Sequence, residues 1–287
     1  MVDILSVVFK RFASQLHVST NVALKVSPTE SSILVVGDEN INRSLLFLTA
    51  VTAASELGSR VMFFTQNQIQ SLPCNLQGSS GLNLKPESLK KIRFVYPKTL
   101  EQLLEDVASL HELVRQAAAI PSLVIVNGLD RYLCSPELQG RPQQEAQSMA
   151  AHVMALLHDT AAFLTQNLEA RVESQAPCRV IVSVQPGIEG RGGGDVLGPD
   201  PFLSVLGRYL QVRCTSEKEW RGEGQNEWLL CLSGQGLQVD GDAIEKEGLA
   251  LKWHVAMQPS GVLEFWPDVA TKEKTLQEQA SLEAKDD

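Results

Sequence analysis

The chain has 287 residues, 44% of them hydrophobic and 21% charged, with a formal charge of -9. That is a globular composition, long enough for one large core or two small ones. It excludes a protein that coats nucleic acid with its whole surface, because neutralising phosphate needs clustered Lys and Arg; any nucleic-acid contact must be local.

The N-terminal residues 1–30 read as a mixed, weakly periodic leader. Asp3, Lys10 and Arg11 around its short apolar run do not make an export signal, and no stretch approaches the roughly 20 apolar residues of a membrane span, so a soluble chain is expected. A single domain is expected over 31–267. It opens with Ser32 to Val36, a continuous apolar run ending at Gly37, as for a buried central strand. Leu46, Ala50, Ala53 and Leu57 then recur at helical spacing from about Arg43, with Gly58 where a helix C-cap belongs. Arg60 to Thr65 reads as the second strand.

Beyond a loop rich in Gly, Ser and Pro (72–86), Ile92, Phe94 and Tyr96 alternate with Lys91, Arg93 and Val95, predicting a strand with one drier face. Thr99 and Gln102 resemble a capping box, and Leu103, Val107, Leu110 and Val114 continue as a helix to about Ala119, closed by Pro121. Ser122 to Val126 is a second core strand, followed by Asn127 and Gly128. A long helix presents Val153, Leu157, Ala161, Leu164 and Leu168 on one face. Arg179 to Val184 is the fifth strand, opening into a glycine-rich loop from Pro186 to Gly198. From about Phe202 the pattern turns amphipathic and then strand-like, with 228–232, 251–257 and 262–266 as candidate antiparallel strands. The tail, 268–287, holds six acids, three lysines and few large apolar groups, and is expected to be disordered. Strand-like and helix-like runs in alternation predict an α/β fold with a mostly parallel central sheet and antiparallel strands added near the C-terminus.

The five cysteines (Cys74, Cys134, Cys178, Cys214, Cys231) are odd in number and widely spaced. Neither a disulfide framework nor a CxxC metal site is predicted, and a reducing compartment fits.

The passage from Val36 to Ser44 has the length and context of a phosphate-binding loop, GxxxxGK[ST], with Gly37 and Ser44 at its two ends. Such a loop turns successive backbone N–H groups into an anion nest, which usually requires glycine at the sixth position, while its lysine reaches the terminal phosphates. Here those positions are Asn42 and Arg43. Asn tolerates left-handed backbone and Arg is a good phosphate ligand, so some nucleotide affinity can survive the exchange. Asp38 and Glu39 oppose it, adding two carboxylates to a loop meant for a polyanion. The balance favours a structural remnant over a working site.

The magnesium side is equally altered. The strand from Leu123 ends in Asn127 where a P-loop ATPase normally has Asp, and Asp130 reads as an ordinary surface residue. Thr65-Gln66-Asn67 offers no carboxylate to activate water. Efficient ATP hydrolysis is therefore not expected, and no catalytic residue is assigned. His111, His152, His158 and His254 form no HExxH, the adjacent His158 and Asp159 read as a solvated pair, and no metal-ligand cluster is found.

For nucleic acid the best segment runs from Lys85 to Lys98, where Lys90, Lys91 and Arg93 are interleaved with Phe94 and Tyr96. Such a stretch can hold a phosphate backbone and stack bases, although strand alternation with buried aromatics accounts for it equally. Arg191, in the glycine-rich loop after the fifth strand, is a further candidate because α/β folds bind ligands at the C-terminal ends of parallel strands.

Three segments carry a resemblance: Leu89 to Pro97 (LKKIRFVYP), Ser122 to Leu133 (SLVIVNGLDRYL) and Leu156 to Ala162 (LLHDTAA). They resemble the SWIM-type-zinc-finger-associated ATPases, divergent RecA-type recombinase paralogues, and the likeness runs from about Ile33 to Trp266. The resemblance implies a RecA-like P-loop fold and an ATPase stimulated by single-stranded DNA that also binds DNA independently of hydrolysis. It implies ATP and magnesium as cofactors. It further implies a nuclear role in homologous recombination within a Shu complex, where a SWIM-type zinc-finger protein is the partner and recombinase filaments are supported. The zinc then belongs to the partner. Position by position, the family's phosphate loop falls on Gly37 to Ser44 and its magnesium-side strand on Leu123 to Asn127, where Asn42, Arg43 and Asn127 replace Gly, Lys and Asp. The expected role is a DNA-repair scaffold subunit; the alternatives are an active ATPase and a pure protein–protein adaptor.

Overall fold

A computed structural model describes residues 4–13, 24–26, 32–69, 85–115, 120–133, 143–171, 177–185, 201–219, 226–234, 237–239, 251–258 and 261–268. In chain order its elements are α1 (Ile4–Arg11), β1 (Leu24–Val26), β2 (Ile33–Val36), α2 (Glu39–Glu56), β3 (Val61–Thr65), α3 (Pro86–Leu89), β4 (Ile92–Val95), α4 (Leu100–Arg115), β5 (Leu123–Asn127), α5 (Leu129–Leu133), α6 (Gln143–Ala170), β6 (Arg179–Val184), α7 (Pro201–Gly207), β7 (Val212–Glu219), β8 (Asn226–Gly234), β9 (Leu237–Val239), β10 (Leu251–Met257) and β11 (Leu263–Pro267).

Nine strands form one sheet in the order β11-β10-β8-β7-β2-β6-β5-β3-β4. From β4 to β7 the strands run parallel, and β8, β10 and β11 are added antiparallel beyond them. This is the expected α/β class with C-terminal antiparallel additions. β2, β3 and β5 are buried along their whole length because helices cover both faces of the parallel half, so their sequences read as unbroken apolar runs. Alternate residues of β2 serve two cores: Ile33 and Val35 join α1 and α2, while Leu34 and Val36 join α4 and α6. The predicted stripe of α6, from Val153 to Leu168, is buried in the second of these.

Two parts of the first core lie outside the sequence expectations. Helix α1, within the segment read as a leader, buries Ile4, Leu5, Val8 and Phe9. Phe9 packs on Phe265 and Trp253 with ring centroids 5.5 Å apart in both pairs, so residues 4–13 are part of the domain core. Strand β7 was hidden because its second half, Ser216-Glu-Lys-Glu219, carries no apolar alternation. It is the seam of the sheet, parallel to β2 and antiparallel to β8. The cap of α4 also has its own form. Thr99 Oγ1 accepts from Gln102 N at 3.2 Å, but Gln102 Oε1 accepts from Lys98 N at 2.7 Å, one residue before the cap. The tail, the glycine-rich loop with Arg191, and residues 116–119 lie outside the described residues.

A self-filled phosphate loop and a basic sheet edge

A phosphate-binding loop needs several residues of open backbone between strand and helix. Here only Gly37 and Asp38 separate β2 from α2. Asp38 is the N-cap of that helix, its Oδ1 accepting from Asn40 N at 2.9 Å and from Ile41 N at 3.3 Å. The first N–H groups of the helix, which would otherwise present positive charge to an anion, are thus occupied by the chain's own carboxylate. Asn42 lies one turn further, 3% exposed. Its Nδ2 donates to the carbonyls of Gly37 at 3.0 Å and Val184 at 3.1 Å, tying the helix to the ends of β2 and β6.

Gly37 itself has no room for a side chain. A Cβ there would lie 1.6 Å from Ser216 Oγ and 2.8 Å from Ser216 Cβ on the seam strand β7. The first glycine of the motif is explained by this close approach between strands, independently of any ligand.

The magnesium-side position closes in the same manner. Asn127 is 3% exposed at the end of β5, its Nδ2 donating to Thr65 Oγ1 at 3.2 Å and its Oδ1 accepting from Ser183 Oγ at 3.1 Å. Ser183 Oγ accepts in turn from Gly128 N at 2.9 Å. Side-chain amide and hydroxyls form a neutral network linking β3, β5 and β6, with no charge to hold a divalent cation.

Asp130 corrects the surface reading given to it. It is 4% exposed and its Oδ1 accepts from Gln185 N at 3.1 Å. Burial raises its pKa above the usual carboxylate range, against a lowering from that backbone hydrogen bond. Gly128, at φ 71, turns the chain sharply out of β5 and swings α5 back over the strand ends. The next residue, Arg131, closes the mouth, its Nη2 2.8 Å from Glu39 Oε1.

Glu39, Asn42, Asn127, Asp130, Arg131 and Ser183 line the space that remains, about 10 Å³, the lower limit for one water molecule. A nucleotide pocket is roughly thirty times larger. Arg43 and Ser44, half-buried on α2, are not part of this lining. The structure therefore brings Gly37, Asn42 and Asn127 together and leaves Arg43 and Ser44 aside, and the residues present do not fit a triphosphate with its magnesium. Sequence reading missed Ser183 and Asp130. The signal for Ser183 was a lone polar residue inside an apolar central strand, which must have a partner when buried.

The second candidate surface is the β4 edge of the sheet. Lys85, Lys90, Arg93 and Lys98 are exposed, while Lys91 is half-buried with its Nζ donating to Gly58 O at 3.4 Å. Phe94 is not available to stack on a base, since its ring packs on Phe47 at 5.8 Å and on Phe63 at 5.4 Å. Tyr96 is half-buried. The edge offers cations without a free Phe94 platform. Of the remaining candidates, His158 and Asp159 are both exposed, as the solvated-pair reading expects. His111 stacks on Phe163 at 4.3 Å and lies 3.2 Å from Thr160 Oγ1, a structural role. Among the described residues no helix is long and apolar enough to cross a membrane.

No family model matches the sequence. The chain is 32% identical over 242 residues to the ATPase SWSAP1 of Homo sapiens, covering 83% of this chain and 90% of the relative. It is 29% identical over 247 residues to the ATPase SWSAP1 of Mus musculus, covering 86% and 77%. Among solved structures, the crystal structure of the RadB recombinase superposes with a TM-score of 0.52 at 14% identity, covering 82% of this chain and 90% of that one. That likeness is one of fold, and it establishes the RecA-like architecture. By sequence and fold together, the chain belongs to the SWSAP1 family of divergent RecA-type proteins.

Proposed function

We propose that the chain is a non-hydrolytic RecA-like scaffold subunit. In the nucleus, it would bind single-stranded DNA and a SWIM-type zinc-finger protein in a Shu-type complex, and promote homologous recombination by supporting the recombinase and its paralogues. The observation that carries the non-hydrolytic part is the Asp38 cap on α2, which places a fixed carboxylate where the phosphates of ATP would sit. The family membership and RecA-like fold support a place among recombination proteins, and the exposed cations of the β4 edge support a local contact with a phosphate backbone. The expected result is co-purification with a SWIM protein, together with single-strand binding unchanged by ATP. Loss of DNA binding when nucleotide is removed contradicts it. Changing Lys90, Lys91 and Arg93 to Glu should flatten the salt dependence of binding; an unchanged slope would favour the pure adaptor.

A second reading is favoured by the relatives' name, ATPase: a hydrolase in which Arg43 replaces the loop lysine. Phosphate release above background that Arg43→Ala abolishes would establish it. Turnover at background in the wild type removes it.

A further inference from the structure

The antiparallel wing of the sheet is covered differently on its two faces. Toward α1 and α2 it contributes Trp228, Leu230, Trp253, Val255 and Phe265 to the core, whereas the core on the α4 and α6 side takes nothing from β8, β10 or β11. No described helix closes that outer face. Strand register lays it out in rows: Thr215, Cys231 and Lys252; then Glu217, Leu229, His254 and Trp266; then Glu219, Glu227, Ala256 and Glu264. Leu229, Cys231, Ala256 and Trp266 are half-buried and Glu217 is exposed. Trp266 stacks on His254 with centroids 5.7 Å apart. His254 lies 3.4 Å from Glu219 and 3.7 Å from Asp268.

The last row sets Glu219 directly opposite Glu227, with Glu264 across Ala256 on the same side. Like charges facing each other across a strand pair destabilise it, so this face gains from an opposite charge laid over it. Lys252 and Arg213 stand at the other end, beside Cys231 and Ser233. The neighbouring segments of the chain outside the described residues do not complement the glutamates. Residues 240–250 hold four acids against one lysine, a net of -3, and residues 269–287 hold five acids against three lysines, a net of -2. Phosphate backbones are excluded by the same sign argument.

We propose that this face is the docking surface for a basic segment of a protein partner. Its apolar side chains would pack on Leu229, Ala256 and Trp266, and its Lys or Arg side chains would pair with Glu217, Glu227 and Glu264. The proposal rests on the reading that the chain works with a SWIM-type partner, and it names the face and the chemistry. Aromatic residues ringed by charge of one sign are the usual anchors of such contacts.

The test measures affinity of the full-length chain for the purified SWIM-type protein. The triple variant Glu217→Lys, Glu227→Lys, Glu264→Lys and the single variant Trp266→Ala should each lose at least about tenfold, with single-strand affinity and the unfolding midpoint unchanged. If the charge reversals disturb folding, the milder pair Glu217→Gln, Glu264→Gln should still weaken binding by about threefold, more at low salt than at high. Partner affinity within about twofold of wild type in the correctly folded triple and Trp266→Ala variants overturns the proposal. So does a homodimer that Lys90→Glu, Arg93→Glu dissolves, which would assign the face to a second copy. Failure of the wild-type chain to bind the SWIM protein at all refutes the functional reading as well, and so is distinguishable from failure of the face alone.

Discussion

The two halves of the sheet handle buried charge and polarity in opposite ways. In the parallel half, each polar group at the strand ends has been given a partner from the chain itself: Asp38 on the helix N–H groups, Asn42 on two carbonyls, Asn127 between Thr65 and Ser183, Asp130 on Gln185 N. In the antiparallel wing, glutamates face one another and half-buried apolar side chains lie between them. A site satisfied internally has little to offer a ligand. A face with uncompensated like charge does, and the contrast suggests that recognition has moved from the strand ends to the wing and the β4 edge.

The largest effect should come from Gly37→Ala. The added methyl meets both Ser216 Oγ and Cβ, so the β2–β7 seam must open, at about 2–3 kcal/mol. Chemical denaturation checks this, and adding Ser216→Gly should recover most of the loss. Asn42→Ala leaves the Gly37 and Val184 carbonyls without their donor and should cost about 1–2 kcal/mol in the same measurement. A neutral result would mean that water replaces the amide and that the pocket is more open than its geometry indicates.

Asp38→Ala removes an N-cap and should cost about 1 kcal/mol. On the wing the sign should reverse: Glu227→Gln relieves its opposition to Glu219 and should raise stability by a few tenths of a kcal/mol, on the order of 0.2–0.5. Loss of stability there would mean that Glu227 has a stabilising role within the monomer, and would weaken the contrast.

The smallest effect is a change in pH profile. Asp130 has a folded-state pKa above its unfolded value, so the folded chain holds that proton more tightly. Its contribution to stability is therefore fully present below the unfolded carboxylate pKa and is lost as pH rises through the folded one. Asp130→Asn keeps an acceptor for Gln185 N and cannot ionise. Unfolding followed between mildly acidic and neutral pH should fall less steeply with pH in the variant than in the wild type.

The layers and most of the parallel strands were legible because full burial on both faces writes itself as unbroken apolar runs, as in Ile33–Val36 and Leu123–Asn127. The three antiparallel additions showed through the alternation of Trp228, Leu230 and Leu232 and their counterparts. Strand β7 did not, since one end of it is a charged ribbon with a wet outer face. At the site, the exchange of Gly, Lys and Asp for Asn42, Arg43 and Asn127 was readable as a loss. What replaced the ligand was not readable. Whether Asp38 caps the helix or repels an anion depends on where the helix begins, and whether Asp130 is buried depends on the turn at Gly128. Both are set by tertiary packing that a local pattern does not encode.

Calorimetric titration of the full-length chain with ATP and magnesium tests the central claim most directly, because it interrogates the N-terminus of α2 itself. The account predicts no saturable heat up to millimolar nucleotide in the wild type. Saturable binding that Asn42→Asp or Arg43→Ala abolishes would contradict it.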